Sequence, residues 1–317
     1  MTSGEPQQAE RAAGRPVPDG DSDTDADAGL LAFTAQAGAE IDGTFRAAMA
    51  AAGRRGGPRL RQRHGTGFGV LIEFRTSLAS PTGAVTPRCL AETMRYRDPA
   101  TSSDDLATAV RDGWITRDAD GTVRATARGH AFLDDLYASQ ADALGVLWNG
   151  HEATVSRLAM RTAEIVDAAA RAPVMAEGSF AAMTPTYEPV GTPDTVLLLN
   201  RLSALRYHRS DAHATAWRTA GLTAAEMVAL QELVALRHDA GGAGRGAGGA
   251  GRGAGDTGRG AGDARRDAGG ARRDAIEAHT DRLAAAPFRV VPAAERLRFV
   301  ENLRSLSGIL ASAPNDL

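Results

Sequence analysis

The sequence contains no lysine, a single cysteine and few aromatic residues. All 36 of its Lys-or-Arg positions are therefore arginines, a bias typical of a GC-rich bacterial genome that makes arginine enrichment a weak sign of phosphate binding. The lone Cys89 excludes an internal disulfide framework and a cysteine-rich zinc site, and it fits a reducing cytoplasm. Aromatic residues make up 5% of the chain, whereas alanine and glycine are abundant. This composition favours closely packed helices over a thick sheet sandwich.

Long apolar runs are also absent. No stretch approaches the roughly 18 uncharged apolar residues needed to span a bilayer, and the opening residues MTSGEPQQAE lack the basic and apolar regions of a signal peptide. We expect a soluble, cytoplasmic protein with no membrane partner. The 317 residues allow two domains, and the net charge of −3 points to no particular class of partner.

Between residues 67 and 126 the local signals follow one another in an informative order. The apolar segment FGVLIEFRTSLAS predicts a first helix, and Thr86-Pro87, an N-cap followed by proline, begins a second. We expect Ser102 or Ser103 to cap a third helix. Next, the segments WITR and TVRA flank an Asp-Gly turn and predict a β-hairpin. Helix, turn, helix and hairpin in this order predict a winged helix-turn-helix unit.

The remaining chain divides by composition. Residues 1–28 predict a disordered acidic tail, residues 29–172 a winged helix-turn-helix domain with flanking helices, and residues 173–191 a linker with three prolines. Residues 192–317 predict a helical bundle, interrupted at 241–270 by a disordered Gly/Arg-rich insertion. The predicted fold class is mainly α, with an N-terminal winged helix-turn-helix, one β-hairpin and a C-terminal helical bundle.

A long helical run is predicted to follow the hairpin, from Ala127 to about Ala172, with a kink at Asn149-Gly150. Its apolar stripe needs to be covered either by the second domain or by another subunit. We expect the chain to form a homodimer.

The segment GRRGGPRLRQRHG, residues 53–65, contains five arginines and is predicted to be a glycine-rich loop. One interpretation is an ordinary solvated loop. The other is a flexible arm that contacts the nucleic-acid backbone.

The segment GWITRDADGTVRATARG, with the helices before it, resembles the MarR-like transcription regulators. In that family the third helix enters the major groove and the wing contacts the adjacent backbone. The resemblance covers about sixty residues. It implies double-stranded DNA as a partner, contacted from the third helix and the wing by Thr101, Ser102, Ser103, Arg111, Arg117 and Arg124.

The charge of this unit departs from the pattern expected of a DNA-binding surface. Basic and acidic residues from Thr86 to Arg128 balance at seven each, whereas affinity for duplex DNA comes largely from neutralised phosphates. A winged helix that serves only packing or dimerisation therefore remains an alternative to one that binds DNA.

A second group of polar and aromatic residues lies in the segment RYHRSDAH and ends at Trp217. On a helix, Arg209 falls in the middle of the apolar stripe, where an arginine needs a carboxylate or another acceptor. One interpretation is a salt bridge, for which the partners considered are Glu164, Asp167 and Glu226.

The other interpretation of this segment is a binding pocket. Arg206 and Arg209 would hold a small anionic ligand, while His213 and Trp217 would cover an apolar or aromatic ring. The segment also resembles one found in uncharacterised actinobacterial helix-turn-helix proteins, a resemblance that brings no established activity.

No metal, cofactor or catalytic site is predicted. His208 and His213 are five residues apart and diverge on a regular helix, and a GxGxxG match at residues 244–249 lies in low-complexity sequence without a preceding strand. The sequence therefore favours a ligand-responsive DNA-binding transcription regulator. The alternative is a small-molecule-binding or enzymatic helical bundle whose winged helix is structural or dimerising.

Overall fold

A computed structural model describes residues 21–171, 178–184, 188, 191–229 and 259–312. This part of the chain is mainly helical, with a single two-stranded antiparallel sheet, which confirms the predicted fold class. The helices and strands are α1 (Asp21–His64), α2 (Gly69–Glu73), α3 (Arg75–Leu78), α4 (Pro87–Thr93), α5 (Pro99–Arg111), β1 (Ile115–Arg117), β2 (Val123–Ala125), α6 (Ala127–Leu147), α7 (Glu152–Ala170), α8 (Ser179–Met183), α9 (Asp194–Thr219), α10 (Arg259–Ala284), a 3-10 turn (Ala286–Val290) and α11 (Ala293–Ser312).

The helix-turn-helix and the hairpin after it are present in the predicted order. Thr86 caps α4 by accepting a hydrogen bond from the amide of Cys89 at 3.2 Å, and Pro87 is the first helical residue. The hairpin pairs Thr116 with Arg124. Its turn is closed at Gly121, where φ of +87° requires glycine. The predicted first helix is two short helices, α2 and α3.

The prediction of Ser102 or Ser103 as the N-cap of α5 is wrong. Asp98 caps the helix instead, accepting hydrogen bonds from the amide and the hydroxyl of Thr101 at 2.8 and 2.9 Å. Pro99 then takes the first helical position. Aspartate followed by proline is as strong a helix start as serine, so α5 begins about one turn earlier than expected.

The long helical run after the hairpin is two helices, α6 and α7, rather than one kinked helix. The chain breaks between Trp148 and His151, at the predicted Asn149-Gly150 position, where Gly150 has a φ of +81°. A residue with positive φ ends a helix instead of bending it.

The expected loop at residues 53–65 is wrong, because α1 continues to His64 through Pro58. Gly56 is buried, and a Cβ at this position would collide with the Ser139 side chain of α6. Tertiary packing thus outweighs the low helix propensity of glycine and proline. The same helix begins at Asp21, inside the stretch expected to be a disordered tail, of which residues 1–20 lie outside the described residues.

Two other segments expected to be irregular contain helices. Residues 173–191 include α8, and residues 241–270 include the start of α10. Residues 172–177 and 230–258, on which parts of those two predictions fall, lie outside the described residues.

Buried apolar side chains form two large clusters. The bundle cluster joins α1, α7, α9, the 3-10 turn and α11, and the hairpin cluster joins α2 to α6, β1, β2 and α8. Four helices, α1, α6, α8 and α9, contribute to both. Their residues Leu60, Phe132, Met183 and Tyr207 contact the hairpin cluster, while other residues of the same helices belong to the bundle cluster. The helix-turn-helix therefore packs directly on the helical bundle.

Candidate functional site

The residues predicted to contact DNA occupy two adjacent elements, α5 and the hairpin. Thr101, Ser103 and Arg111 are exposed on α5, and Arg117 and Arg124 are exposed on the hairpin. These five side chains lie on the surface of the helix-turn-helix.

Ser102 does not share that exposed face. Its exposed fraction is 8%, and its hydroxyl has no hydrogen-bond partner among the described residues. Because Asp98 caps α5, Ser102 lies inside the helix, and it shares the buried face with Ala109, two turns further on. The exposed serine of this turn is Ser103.

Ion pairs neutralise part of the positive charge on this surface. Arg124 lies 3.3 Å from Asp118, and Arg111 lies 3.7 Å from Asp112. Arg97 at the start of the unit pairs with Asp105 of α5 at 2.6 Å. The basic and acidic residues of this unit, which are equal in number, therefore also lie next to one another. Its exposed arginines face solvent beside carboxylates.

The C-terminal end of α1 brings further arginines to the helix-turn-helix. Arg63 and His64 contact the carboxylate of Asp135 on α6 at 2.9 and 2.6 Å. Arg128 donates to the carbonyls of Asp112 and His64, and its guanidinium lies 3.8 Å from the centre of the Trp114 ring. These contacts fix the end of α1 against α5 and α6.

Three arginines at this end of α1 point to solvent: Arg54, Arg59 and Arg61 are exposed, and within the described part of the chain they form no ion pair. Both interpretations of this segment assumed a loop. The structure shows a basic helix end in its place.

The segment RYHRSDAH lies on α9, which is buried nearly all round and has no single apolar stripe. Arg209 donates to Asp281 at 2.6 Å and to Glu277 at 3.3 Å, both on α10. Arg206 donates to Asp42 of α1 at 2.6 Å and lies over the Phe45 ring. A salt bridge at Arg209 is thus present, with partners other than Glu164, Asp167 and Glu226.

Three of the four residues predicted to bind a ligand share a cleft of about 430 Å³ between α1, α9 and α10. Arg206, Arg209 and His213 line it, together with the carboxylates Asp42 and Glu277. Burial lowers the pKa of His213, while the charge of Glu277 acts in the opposite direction. Arg206 and Arg209 are both already paired with carboxylates.

Trp217 does not line that cleft. Its indole N–H donates to the hydroxyl of Tyr96 at 3.0 Å, and its ring packs in a third, smaller cluster with Met227 and Ile276. The residue joins α9 to the segment that follows α4.

A buried ion pair that sequence reasoning missed joins α4 to α9. The Arg95 guanidinium donates to the Asp211 carboxylate at 2.7 Å, and both side chains are 6% exposed. The same carboxylate accepts hydrogen bonds from the Ser179 hydroxyl and from the amides of Ser179 and Phe180. Burial alone would lower the pKa of Arg95, but the hydrogen bond and charge of Asp211 raise it.

A second contact strengthens this connection. Glu92 of α4 accepts hydrogen bonds from Arg95 at 2.6 Å and from Arg218 of α9 at 3.0 Å. Burial acts to raise the pKa of Glu92, and the Arg218 hydrogen bond lowers it below its usual value. Sequence reasoning did not find these pairs, because Arg95 and Asp211 are 116 positions apart in the chain. Helix α4 is therefore tied to the bundle by a continuous network of charges.

In the part of the chain that the structure describes, no helix combines the length and the apolar composition that spanning a bilayer requires. Nor do three or more His, Cys, Asp or Glu side chains come together there in a way that could hold a metal ion.

Comparison with known proteins supports the helix-turn-helix interpretation at the level of family. A helix-turn-helix family model matches residues 115–315, from the hairpin through the bundle, so that α4 and α5 precede the matched range. No curated protein and no solved structure matches the chain. The match supports a DNA-binding helix-turn-helix protein. Because it covers more than half of the chain, the protein belongs to this helix-turn-helix family.

Proposed function

We propose that the protein is a winged-helix transcription regulator of MarR-like type, which binds double-stranded DNA as a homodimer and responds to a small ligand. The observation that carries the proposal is the exposed α5 beside an exposed hairpin, with Arg111, Arg117 and Arg124 on their surfaces. In winged-helix proteins the corresponding helix reads the major groove while the wing contacts the backbone.

The direction of binding follows from the packing. One side of α5 is held by Ser102 and Ala109 against the core. This leaves Arg111 on the opposite side, with Thr101 and Ser103 exposed at its two edges. Arg124 extends the basic groups onto the hairpin. Short polar side chains near the helix start and arginines at the edges suit a helix in a groove flanked by phosphates.

The ion pairs on this surface do not prevent DNA binding. Arg111 and Arg124 are about half exposed or more, with side-chain exposures of 68% and 46%. Exposed ion pairs contribute at most about 1 kcal/mol, so a phosphate can replace the carboxylate partner at little cost. The free arginines at the end of α1 add positive charge next to this surface.

Arginine substitutions test the proposal. We expect Arg111→Ala and Arg124→Ala each to weaken binding to duplex DNA from the region upstream of the protein's own gene, and to reduce the salt dependence by about two phosphate contacts per dimer, one from each protomer. Fluorescence anisotropy of a labelled duplex measures both. Arg157→Ala is the matched control, because Arg157 is an exposed arginine of α7 whose side chain contacts Thr154. Equal loss in all three variants would contradict the proposed interface.

The near-neutral face of α5 favours one alternative, in which the winged helix serves packing or dimerisation and the bundle carries the function. Asp104 lies on this face, and Val110 is 40% exposed there. In that case Arg111→Ala would leave DNA binding unchanged, and Val110→Asp would shift the mass measured in solution from dimer to monomer. The regulator proposal predicts the opposite response to Arg111→Ala.

A further inference from the structure

Arg75 is a buried arginine at the junction of the two hydrophobic clusters. It is the first residue of α3 and is 3% exposed. Its guanidinium carbon lies 5.5 Å from the centre of the Phe45 ring of α1. The Tyr137 hydroxyl of α6 donates to its backbone carbonyl at 3.2 Å. Helices α1, α3 and α6 therefore meet around this side chain.

The guanidinium of Arg75 forms no ion pair among the described residues. Its Nη1 donates to the carbonyl of Ile72 at 3.1 Å, while Nε and Nη2 are buried and have no hydrogen-bond partner among the described residues. The neighbouring carboxylate, Glu73, accepts a hydrogen bond from the Tyr207 hydroxyl instead. Burial lowers the pKa of Arg75, although the charge of Glu73 acts to raise it.

The two unpartnered nitrogens define the chemistry that fits them. The N–H bonds of Nε and Nη2 lie parallel on one edge of a guanidinium, and this edge matches the two oxygens of a carboxylate. A buried arginine whose whole edge is unsatisfied is uncommon, because buried donors are nearly always paired. The missing partner is therefore a planar pair of acceptor oxygens with one negative charge.

Two more unsatisfied groups lie on the helices around Arg75. The side-chain oxygens of Gln140 on α6 and Asn200 on α9 are buried and have no partner among the described residues. Asn200 interacts with the Tyr137 side chain, and Gln140 lies one helical turn after Tyr137. Asn200 is thus connected to Arg75 through Tyr137, and Gln140 lies on the same helix as Tyr137.

We propose that Arg75 binds a small organic monocarboxylate, whose oxygens accept from Nε and Nη2 and whose apolar part packs against Phe45, Tyr137 and Tyr207. A single arginine suits one negative charge, and the nearby Arg206 is already paired with Asp42 at 2.6 Å. Tyr137 and Tyr207 are only partly buried, so they form the side of the junction that is open to solvent.

The position of this site links it to the helix-turn-helix. Helix α3 continues from Arg75 into Thr76 and Ser77, whose hydroxyls donate to the carbonyls of Met183 and Ala182 in α8. Helix α8 is in turn held by the Asp211 carboxylate that binds Arg95, two residues after the end of α4. Occupancy of Arg75 therefore acts on the elements that position α4; in this regulatory part the inference rests on the proposed function.

Calorimetric titration of the full chain with acetate, butyrate and hexanoate, at constant ionic strength and without DNA, tests the site. We expect saturable binding that tightens with chain length, and no competition by inorganic phosphate. Arg75→Lys loses the two-point contact and should bind hexanoate at least about tenfold more weakly, and Arg75→Met should not bind it. Arg157→Met, at an exposed arginine of α7 outside both clefts, is the matched control and should bind like the wild type.

Three results would overturn the inference: absence of saturable binding in the wild type, binding of phosphate alone, and equal binding by Arg75→Met. If Arg75→Met does not fold, the Nε–H resonance of Arg75, assigned with Arg75→Lys, decides instead: a shift on adding hexanoate supports the site and an unchanged resonance overturns it. If the protein binds hexanoate but not DNA, this inference stands and the proposed function is wrong. If it binds DNA but not hexanoate, the proposed function stands and this inference is wrong.

Discussion

At the scale of single residues, several ionisable side chains are buried where the bundle cluster meets the hairpin cluster. His208 is the clearest case, because it is 1% exposed and packs edge-on against the Phe180 ring at 5.4 Å between centroids. Burial lowers the pKa of His208 to about 4, although the charge of Asp211 acts to raise it. The neutral imidazole therefore belongs to the folded state.

His208 makes the stability of the protein depend on pH. Unfolded histidine takes up a proton below about pH 6.5, whereas His208 in the folded protein does so only below about 4. Between these values the unfolded state binds more protons, so the free energy of unfolding falls as the pH is lowered, by up to about 3 kcal/mol at pH 4. Urea denaturation across this range should show a flatter dependence for His208→Leu. The exposed His151→Leu is the control, and an identical slope in His208→Leu and wild type would refute the assignment.

At the scale of elements, α4 is only seven residues long, and its position is fixed mainly by contacts with α9. Arg95 and Asp211 are 116 positions apart in sequence, and the Trp217 to Tyr96 hydrogen bond spans 121. The Asp211 carboxylate also occupies the space where a Cβ at residue 178 would lie, which explains the glycine at that position. One carboxylate thus organises α4, α8 and α9 together.

Removing that carboxylate should destabilise the whole protein. Asp211→Asn removes the buried one of the two carboxylates that Arg95 contacts and leaves only Glu92, which is shared with Arg218. Breaking a buried pair costs up to about 3–5 kcal/mol. Asp105→Asn removes the same charge from the exposed pair with Arg97 and should cost less than about 1 kcal/mol. Chemical denaturation compares the two, and similar losses would show that Arg95 and Asp211 do not form a buried pair in solution.

Local sequence signals predicted the elements whose ends are set locally. Thr86-Pro87 marked the start of α4, and the turn at Gly121 marked the hairpin. The helical end of α1 could not be predicted, because it depends on α6 packing against Gly56 rather than on local propensity. The partners of Arg209 were missed for a similar reason, since α10 is adjacent to α9 in space but about seventy residues away in sequence.

For the candidate site, sequence reasoning identified the exposed arginines but not the buried polar network. Arg111 and Arg124 lie where the helix-turn-helix pattern placed them, while Ser102 faces the core because the true cap is Asp98. The sequence around Arg75 did not indicate a binding site, because a single arginine among apolar residues looks like an ordinary interruption of a helical pattern. Its significance depends on which acceptors the fold brings to it.

At the scale of the whole molecule, the helix-turn-helix is not a separate module attached to a bundle. Helices α1, α6, α8 and α9 each contribute side chains to both hydrophobic clusters. A change in the bundle therefore reaches α4 and α5 through packed helices and through the network around Asp211. This arrangement suits a regulator in which ligand binding and DNA binding influence one another.

The proposed regulator function depends most on the interaction of α5 and the hairpin with DNA. Fluorescence anisotropy of the full-length chain with a labelled duplex from the region upstream of its gene, between 50 and 200 mM salt, measures that interaction directly. With six phosphate-contacting arginines in a dimer, we expect binding to weaken about a thousandfold over this range. Absence of binding at 50 mM salt, or an affinity unaffected by salt, would contradict it.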